Sequence, residues 1–319
     1  MISPVSESSP FFSVIIPCFN RAEKARVAVR SVLEQSWRDY EVVVVDDGSS
    51  DNLQAALADF DDSRIRYVWR PNGGAGPARN TGLAEARGAY VSLLDSDDRF
   101  LPGHLQQTFE AIQGHPGANV FFSQVFVDRG VGRTFLKPPR GPGSSEDIPT
   151  YLMCDRGFIP VSSTTIETEL ARKVGFTVVR GTDEDLDFML RLSRSGGRFV
   201  MMDAPTAWID DRPAEGRVSG ARRAEQCLGW LASIRSTVGE RAYYGYRGWH
   251  AAKVIAPDAP LKALWMYVEA VVRGAYSLRM AITVLLQLVL PRRAYERLSA
   301  RVLNSRKLLA LSGFKHGHG

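Results

Sequence analysis

Cysteine is scarce in this chain. The three present, Cys18, Cys154 and Cys227, are odd in number, far apart, and never form a C-x-x-C pair. That excludes a disulfide framework and a thiolate zinc site, and it suits a reducing compartment. Long apolar runs are also missing. The most apolar stretch, MAITVLLQLVL from Met280 to Leu290, would extend about 16 Å as a helix against roughly 30 Å of bilayer hydrocarbon, so it does not span. The first residues, MISPVSESSPFF, have no basic segment followed by an apolar core. No secretory signal is expected, and residues 1–10 are expected to form a loose leader. Phosphate-binding glycine patterns fail too. The first strand is followed by Pro17-Cys18-Phe19-Asn20, and Gly74-Ala75-Gly76 runs on to Arg79 where a third glycine is required. A dinucleotide-binding oxidoreductase and a P-loop enzyme are therefore set aside.

What is present is ordinary in bulk and uneven in detail. Hydrophobic residues make up 45% and charged residues 24%, the range of a folded soluble protein. Residues 261–319 hold ten lysines and arginines against two acids, Glu269 and Glu296. That segment is thus +8, which leaves the first 260 residues at −3 within a chain of net charge +5. A mildly acidic body does not suit nucleic acid, whereas a basic tail calls for a partner of its own.

The body alternates strands and helices. FSVIIP from Phe12 reads as a buried strand, after which Asn20 opens a helix with Glu23 in capping-box spacing. YEVVVV from Tyr40 to Val45 is a second strand, Leu53 to Phe60 a helix, and Arg64 to Trp69 a third strand. A loop, Pro71 to Pro77, precedes a helix over Ala78–Ala86, which Gly88 stops. The fourth strand begins at Tyr90 in YVSLLDSDDRF, closed by Arg99 to Pro102. Such alternation predicts an α/β fold with a mostly parallel sheet covered on both faces, whose ligands collect at the carboxyl ends of the strands. Asp47 and the pair Asp95/Asp97 both lie just beyond strand ends, so they are placed to converge.

Three carboxylates after one strand, Asp95, Asp97 and Asp98, repel one another unless a cation or donors sit among them. Asp95-Ser96-Asp97 is therefore a candidate for holding Mg²⁺ or Mn²⁺ against a phosphate. In isolation the same residues read more readily as an acidic, solvated turn, and what precedes and follows them decides the matter. A dehalogenase-type phosphatase would carry its aspartates at the first strand, not the fourth.

The ordered set VIIPCFNR, VVVVDDGSSD and NGGAGPARNTGLAEARGAYVSLLDSDD, over roughly residues 12–105, resembles the N-terminal half of family 2 glycosyltransferases of the GT-A fold. The resemblance implies a metal-dependent, inverting enzyme that takes its sugar from a nucleotide donor, usually a UDP-sugar. By motif position, Pro17, Phe19 and Asn20 mark the strand end along the base, and Asp47 contacts the uracil. Arg79 and Asn80 line the nucleotide pocket. Asp95 lies near ribose and metal, beside Ser96, and Asp97 binds the metal between the phosphates. Asp47 also reads as a turn former, and Arg79 as a solvated residue at a helix start.

In the second half, Val120–Val127 and Phe158–Ile166 read as strands, Arg140–Ser145 as a loop, and Glu167–Val174 as a helix. The stretch GTDEDLDFMLRL from Gly181 resembles the family's ED motif, which makes Asp185 the catalytic base and Glu184 its neighbour. A base must accept the acceptor hydroxyl's proton as that oxygen attacks the anomeric carbon. The same acids also favour a helix N-terminus electrostatically. Arg212 stands where family members commonly have a histidine, and it is a candidate to pair with phosphate directly. Q-x-x-R-W, the mark of processive synthases, is absent, so single-sugar transfer is expected.

The expected organisation is a catalytic domain over 11–220, split into a nucleotide-sugar half (11–105) and an acceptor half (106–220). A helical region (221–312) and a disordered end (313–319) follow. Leu290, Ala294, Leu298 and Val302 recur at helical spacing among arginines. A basic amphipathic tail over 261–311 can lie on an anionic membrane surface, or pack on the body or in a dimer. The expected acceptor is a carbohydrate or lipid-linked molecule, and the expected location is cytoplasmic, peripheral on the inner membrane face. A sugar-nucleotide nucleotidyltransferase would want a glycine-rich, basic loop after the first strand. A non-catalytic scaffold would have no need for Asp47, Asp95, Asp97 and Asp185.

Overall fold

A computed structural model describes residues 9–130, 134–177, 184–212, 220–290 and 294–295. Most of the leader, the residues Gly181–Asp183 of the ED stretch, and most of the basic segment beyond residue 290 lie outside these. Contacts divide the chain into two compact units, Met1–Leu152 with Arg156–Arg217, and Met153–Asp155 with Val218–Gly319.

Among the described residues the first unit holds nine strands: β1 (Phe12–Cys18), β2 (Tyr40–Asp46), β3 (Ile65–Trp69), β4 (Tyr90–Leu93), β5 (Arg99–Phe100), β6 (Val120–Asp128), β7 (Thr134–Lys137), β8 (Thr165–Glu167) and β9 (Phe199–Asp210). Its helices are α1 (Ala22–Leu33), α2 (Leu53–Leu57), α3 (Ala75–Glu85), α4 (His104–Gly114), α5 (Ile148–Met153), α6 (Thr168–Val174) and α7 (Glu184–Arg194). All strands join one sheet in the order β3-β2-β1-β4-β8-β6-β9-β5, with β7 on β6. The α/β expectation holds. Parallel pairing runs from β3 to β4, and beyond β4 the sheet is mixed, since β8 pairs antiparallel with both β4 and β6.

Continuous apolar sequence explains the central strands. All seven residues of β2 are buried, as expected of a strand covered on both faces. Helix α1 covers one face through Ala22, Ala25, Ala28, Val29 and Val32, at the spacing of a helical stripe. These side chains join Val14, Ile16, Val42 and Val44 in one core. Each fully buried valine contributes gross about 1.5–3 kcal/mol of transfer free energy.

Four local expectations change. Asn20 does not open α1. It holds a left-handed backbone (φ 50°), α1 starts at Ala22, and the Ala22 N–H donates to Asp51 Oδ2 at 2.8 Å. The helix end is satisfied from a neighbouring strand's loop, so the Glu23 capping box does not form. Gly88 is not the helix stop, because α3 ends at Glu85. A Cβ on Gly88 would lie 2.6 Å from the Ser13 nitrogen, so close backbone approach demands glycine there. The fourth strand ends at Leu93, and Asp95–Asp98 form a turn closed by the Asp98 N–H on the Asp95 carbonyl (3.0 Å). Phe158–Ile166 is strand only from Thr165. Val161–Ser163 is a 3₁₀ turn, and the hydroxyls of Ser163 and Thr164 bond the Pro160 carbonyl in competition with a ladder.

The second unit is helical: α8 (Gly220–Ser233), α9 (Arg235–Val238), α10 (Glu240–Tyr246), a π turn (Arg247–Ala251), α11 (Ala252–Ile255), α12 (Pro260–Val272) and α13 (Leu278–Val289). Gly248 lets the π turn pass against α12, since a Cβ there would sit 2.5 Å from that of Ala270.

Candidate active site

Strand β1 lies between β2 and β4 and is parallel to both, with Ile15 opposite Val43 on one side and Leu93 on the other. The carboxyl ends of β2 and β4 therefore open on the same edge of the sheet, which puts Asp47 and Asp95–Asp98 there. They are engaged differently. The buried Asp47 carboxylate accepts from the Gly74 N–H (2.7 Å), the Gly73 N–H (3.0 Å), Asn72 Nδ2 (3.2 Å) and the Arg70 guanidinium. Its lone pairs are taken up by the 70–74 loop, which it holds against the start of α3.

Arg79 organises the rest. It projects from α3, is buried to a side-chain exposure of 5%, and stacks on Phe176 at 5.0 Å. Nη2 donates to Asp95 Oδ1 at 2.7 Å, and Nη1 donates to Asp185 Oδ1 at 2.9 Å. Burial, the largest influence, opposes its charge. Asp95, Asp185 and Glu184 together overcome that and raise its pKa above the usual arginine range. Nε is buried without a hydrogen-bond partner among the described residues. One guanidinium thus joins the acid after β4 to the second acid of the ED motif, which lies 106 residues beyond Arg79.

Glu184 at the start of α7 accepts from the Gly76 N–H at 3.1 Å. Burial pushes its carboxyl above the ordinary value, Asp185 adds to the rise, and Arg79 and the Gly76 N–H oppose it. Gly76 escaped the sequence reading. A Cβ there would stand 2.8 Å from the Thr177 carbonyl and 3.1 Å from Glu184 Oε2, so α3 and the ED motif meet only over glycine. Asn80 faces the same junction. Its Nδ2 donates to the Phe176 carbonyl (2.9 Å), and the Phe176 N–H donates to its Oδ1 (2.6 Å). It braces the chain ahead of the ED helix.

On the turn itself, Asp97 accepts from Arg21 Nη1 at 2.6 Å, with side chains 22% and 47% exposed. Ser96 is buried beside Cys18, whose thiol burial pushes up to about 11. Asp98, which had no assigned role, is the inward support. It accepts from the Ser162 hydroxyl and from the Asp210 N–H (3.0 Å), and burial, with Asp95 nearby, pushes its carboxyl up to about 8. Pro17 pairs with Val45 near the end of β1, and Phe19 is exposed (46%). The Asn20 side chain accepts from the Ser50 N–H at 2.8 Å. Arg212 makes two 2.7 Å bonds to Asp210 and holds that carboxyl well below the usual range, so it is already paired with an acid.

The donor set suits a hard cation only in part. Asp97 fits: its partner Arg21 is half exposed, and such a pair is worth only about 0–1 kcal/mol, so a divalent ion can displace it. Asp95 offers a carboxylate that already shares Oδ1 with Arg79. No group of three or more acid, histidine or cysteine side chains is poised around a common point among the described residues.

Comparison with solved structures places this architecture. The chain superposes on S. aureus TarS residues 1–349 in complex with UDP-GlcNAc, with a TM-score of 0.62 and 20% identity, over 84% of this chain and 82% of that one. It also superposes on the mannosyltransferase PcManGT of Pyrobaculum calidifontis in complex with GDP-Man and Mn²⁺, with a TM-score of 0.51 and 17% identity, over 99% and 90%. The fold is GT-A. In sequence, 248 residues are 29% identical to the amylovoran biosynthesis glycosyltransferase AmsB of Erwinia amylovora, covering 75% of this chain and 82% of that protein. Other curated glycosyltransferases match over about half of their length or less. Residues 13–161 match the model of glycosyl transferase family 2. The chain is therefore similar to family 2 glycosyltransferases over that stretch, and the relatives it matches are glycosyltransferases.

Proposed function

We propose that the protein transfers a single sugar from a UDP-sugar to an acceptor hydroxyl with inversion, and that Asp185 is the base. The observation that carries this is the Arg79 bridge between Asp95 and Asp185. It holds the acid on the donor side and the acid on the acceptor side at fixed spacing on one buried cation. Direct displacement needs this relation. The base takes the hydroxyl proton on one face of the anomeric carbon while the diphosphate leaves from the other, turning an α-linked donor into a β-linked product. Held by Asp97 and Asp95, Mn²⁺ or Mg²⁺ would supply Lewis-acid stabilisation of the leaving diphosphate. The complexes of TarS with UDP-GlcNAc and of PcManGT with GDP-Man and Mn²⁺ support the donor class and the metal. The kinship with AmsB, an amylovoran biosynthesis glycosyltransferase, supports a role in polysaccharide or glycolipid assembly, and the acceptor is placed in this reading at the inner membrane face.

Asp185→Asn is expected to abolish transfer while UDP affinity, measured by calorimetry, stays within about threefold. Glu184→Gln should retain transfer. Loss of activity in the glutamine variant with retention in the asparagine variant would move the base to Glu184.

A further inference from the structure

The second unit leaves two apolar helix faces in water. On α12, Leu261, Leu264, Trp265, Val268 and Val272 are exposed by 83, 41, 62, 41 and 81%. Their spacing puts them on one side of a 3.6-residue helix, while Ala263, Met266, Tyr267 and Ala270 on the opposite side are buried. On α13, Leu278, Ile282, Leu285 and Val289 are exposed by 80, 51, 37 and 65%, again one stripe, and Met280, Ala281 and Val284 face inward. The two helices form a hairpin, for Tyr267 packs on Met280 and Val284, and its hydroxyl donates to the Ala281 carbonyl at 2.9 Å. The sequence had pointed to Met280–Leu290 as a block, but the structure turns only one side of it outward.

We propose that these two stripes form a face that seats in the outer layer of an anionic membrane, with the α12–α13 hairpin lying in the interface. It deepens the reading of an acceptor met at the membrane face and rests on that reading for its purpose. No described helix is long and apolar enough to cross a bilayer, which leaves shallow insertion. Charge selects the occupant. Arg279 is exposed beside the α13 stripe, and the sequence beyond α13 adds Arg292, Arg293, Arg297, Arg301, Arg306, Lys307 and Lys315 against the single acid Glu296. An anionic lipid surface complements that charge, at about 1 kcal/mol per basic residue near it. A second copy of the chain would carry the same positive charge and be repelled. Trp265, mid-stripe, is the residue type that favours the headgroup level.

The test is flotation of the full chain with phosphatidylcholine vesicles, with or without phosphatidylglycerol, comparing wild type with Trp265→Ser/Ile282→Ser. Light scattering gives the mass, and a UDP thermal shift reports on the donor site. Wild type is expected to float with anionic vesicles, far less with neutral ones or at high salt. The double variant should bind at least tenfold more weakly with unchanged melting temperature and UDP response. Failure of the wild type to float, or equal flotation of the variant, overturns the proposal. So does a wild-type dimer that the variant dissociates, which would assign the face to a second copy. A drop in the variant's melting temperature would show that the chain's own tail covers the stripes, and also overturns it. A normal UDP response alongside any of these leaves the transferase reading standing.

Discussion

Replacing Arg79 by methionine tests the centre of the proposed site. The guanidinium is 5% exposed, and its two acid partners, Asp95 and Asp185, are 32% and 51% exposed. Breaking a fully buried pair costs roughly 3–5 kcal/mol, chiefly because a charge is left behind in a dry place. Here the charges left behind are the half-exposed carboxylates, which water can reach, so the loss should fall to about 2 kcal/mol. For a unit of this size that is a fall in melting temperature of about 4–8 °C. The kinetic effect should be larger. Without the bridge, Asp185 is no longer held at a set distance from the donor side, and misplacement by about 1 Å costs on the order of 10²-fold in rate. Arg79→Lys should recover little, because an ammonium is a point charge and cannot reach both acids with separate arms. Scanning fluorimetry gives the first quantity, and release of UDP from a UDP-sugar with acceptor gives the second. A methionine variant that melts within 1 °C of wild type and turns over within about threefold of it would refute the bridge as an organising feature.

Two further outcomes are expected. Asp97→Ala should weaken Mn²⁺-dependent UDP binding at least tenfold by calorimetry, with metal-free binding little changed; wild-type affinity would remove Asp97 from the metal site. His104 is fully buried between the Ser92 and Thr206 hydroxyls (3.0 and 2.7 Å), and burial lowers its pKa to about 3. Its unfolded value is about 6.5, so the unfolded chain binds the extra proton between these limits. The stability held by the neutral ring is complete above about pH 6.5 and is lost as pH falls toward 3, at about 1.4 kcal/mol per unit, or roughly 2 kcal/mol by pH 5. His104→Gln should remove that slope in urea melts at pH 7.5 and pH 5. An equal wild-type-minus-variant difference at both values would contradict it.

Much of the fold was written in local pattern. VVVV and FSVII are too uniformly apolar to be anything but covered strands, and acids directly after such strands fall on the ligand edge of a parallel sheet. The 3.6-residue stripe of α1 and the acidic start of α7 are equally local. What local pattern cannot carry is which side chain answers which. Asp47 and Asp97 both look like donor-site acids in sequence. Yet one is taken up by the backbone N–H groups of Gly73 and Gly74, and the other lies on the surface against Arg21. Asn20 reads as a helix start, but Asp51, 29 residues beyond Ala22 in a loop that the sheet brings alongside, satisfies that end.

The motifs themselves, with their order and spacing, were decided by sequence alone, and they carry both the resemblance to family 2 glycosyltransferases and the choice of candidate acids. Only the tertiary structure decided that Arg79, which in sequence reads either as a pocket residue or as a solvated one at a helix start, is a buried cation between Asp95 and Asp185. Only it decided which sides of α12 and α13 remain in water. The reason is the same in both cases. Periodicity fixes how a segment is patterned, but charge pairing and burial depend on neighbours supplied by sheet order and helix packing, and those neighbours are tens to a hundred residues away along the chain.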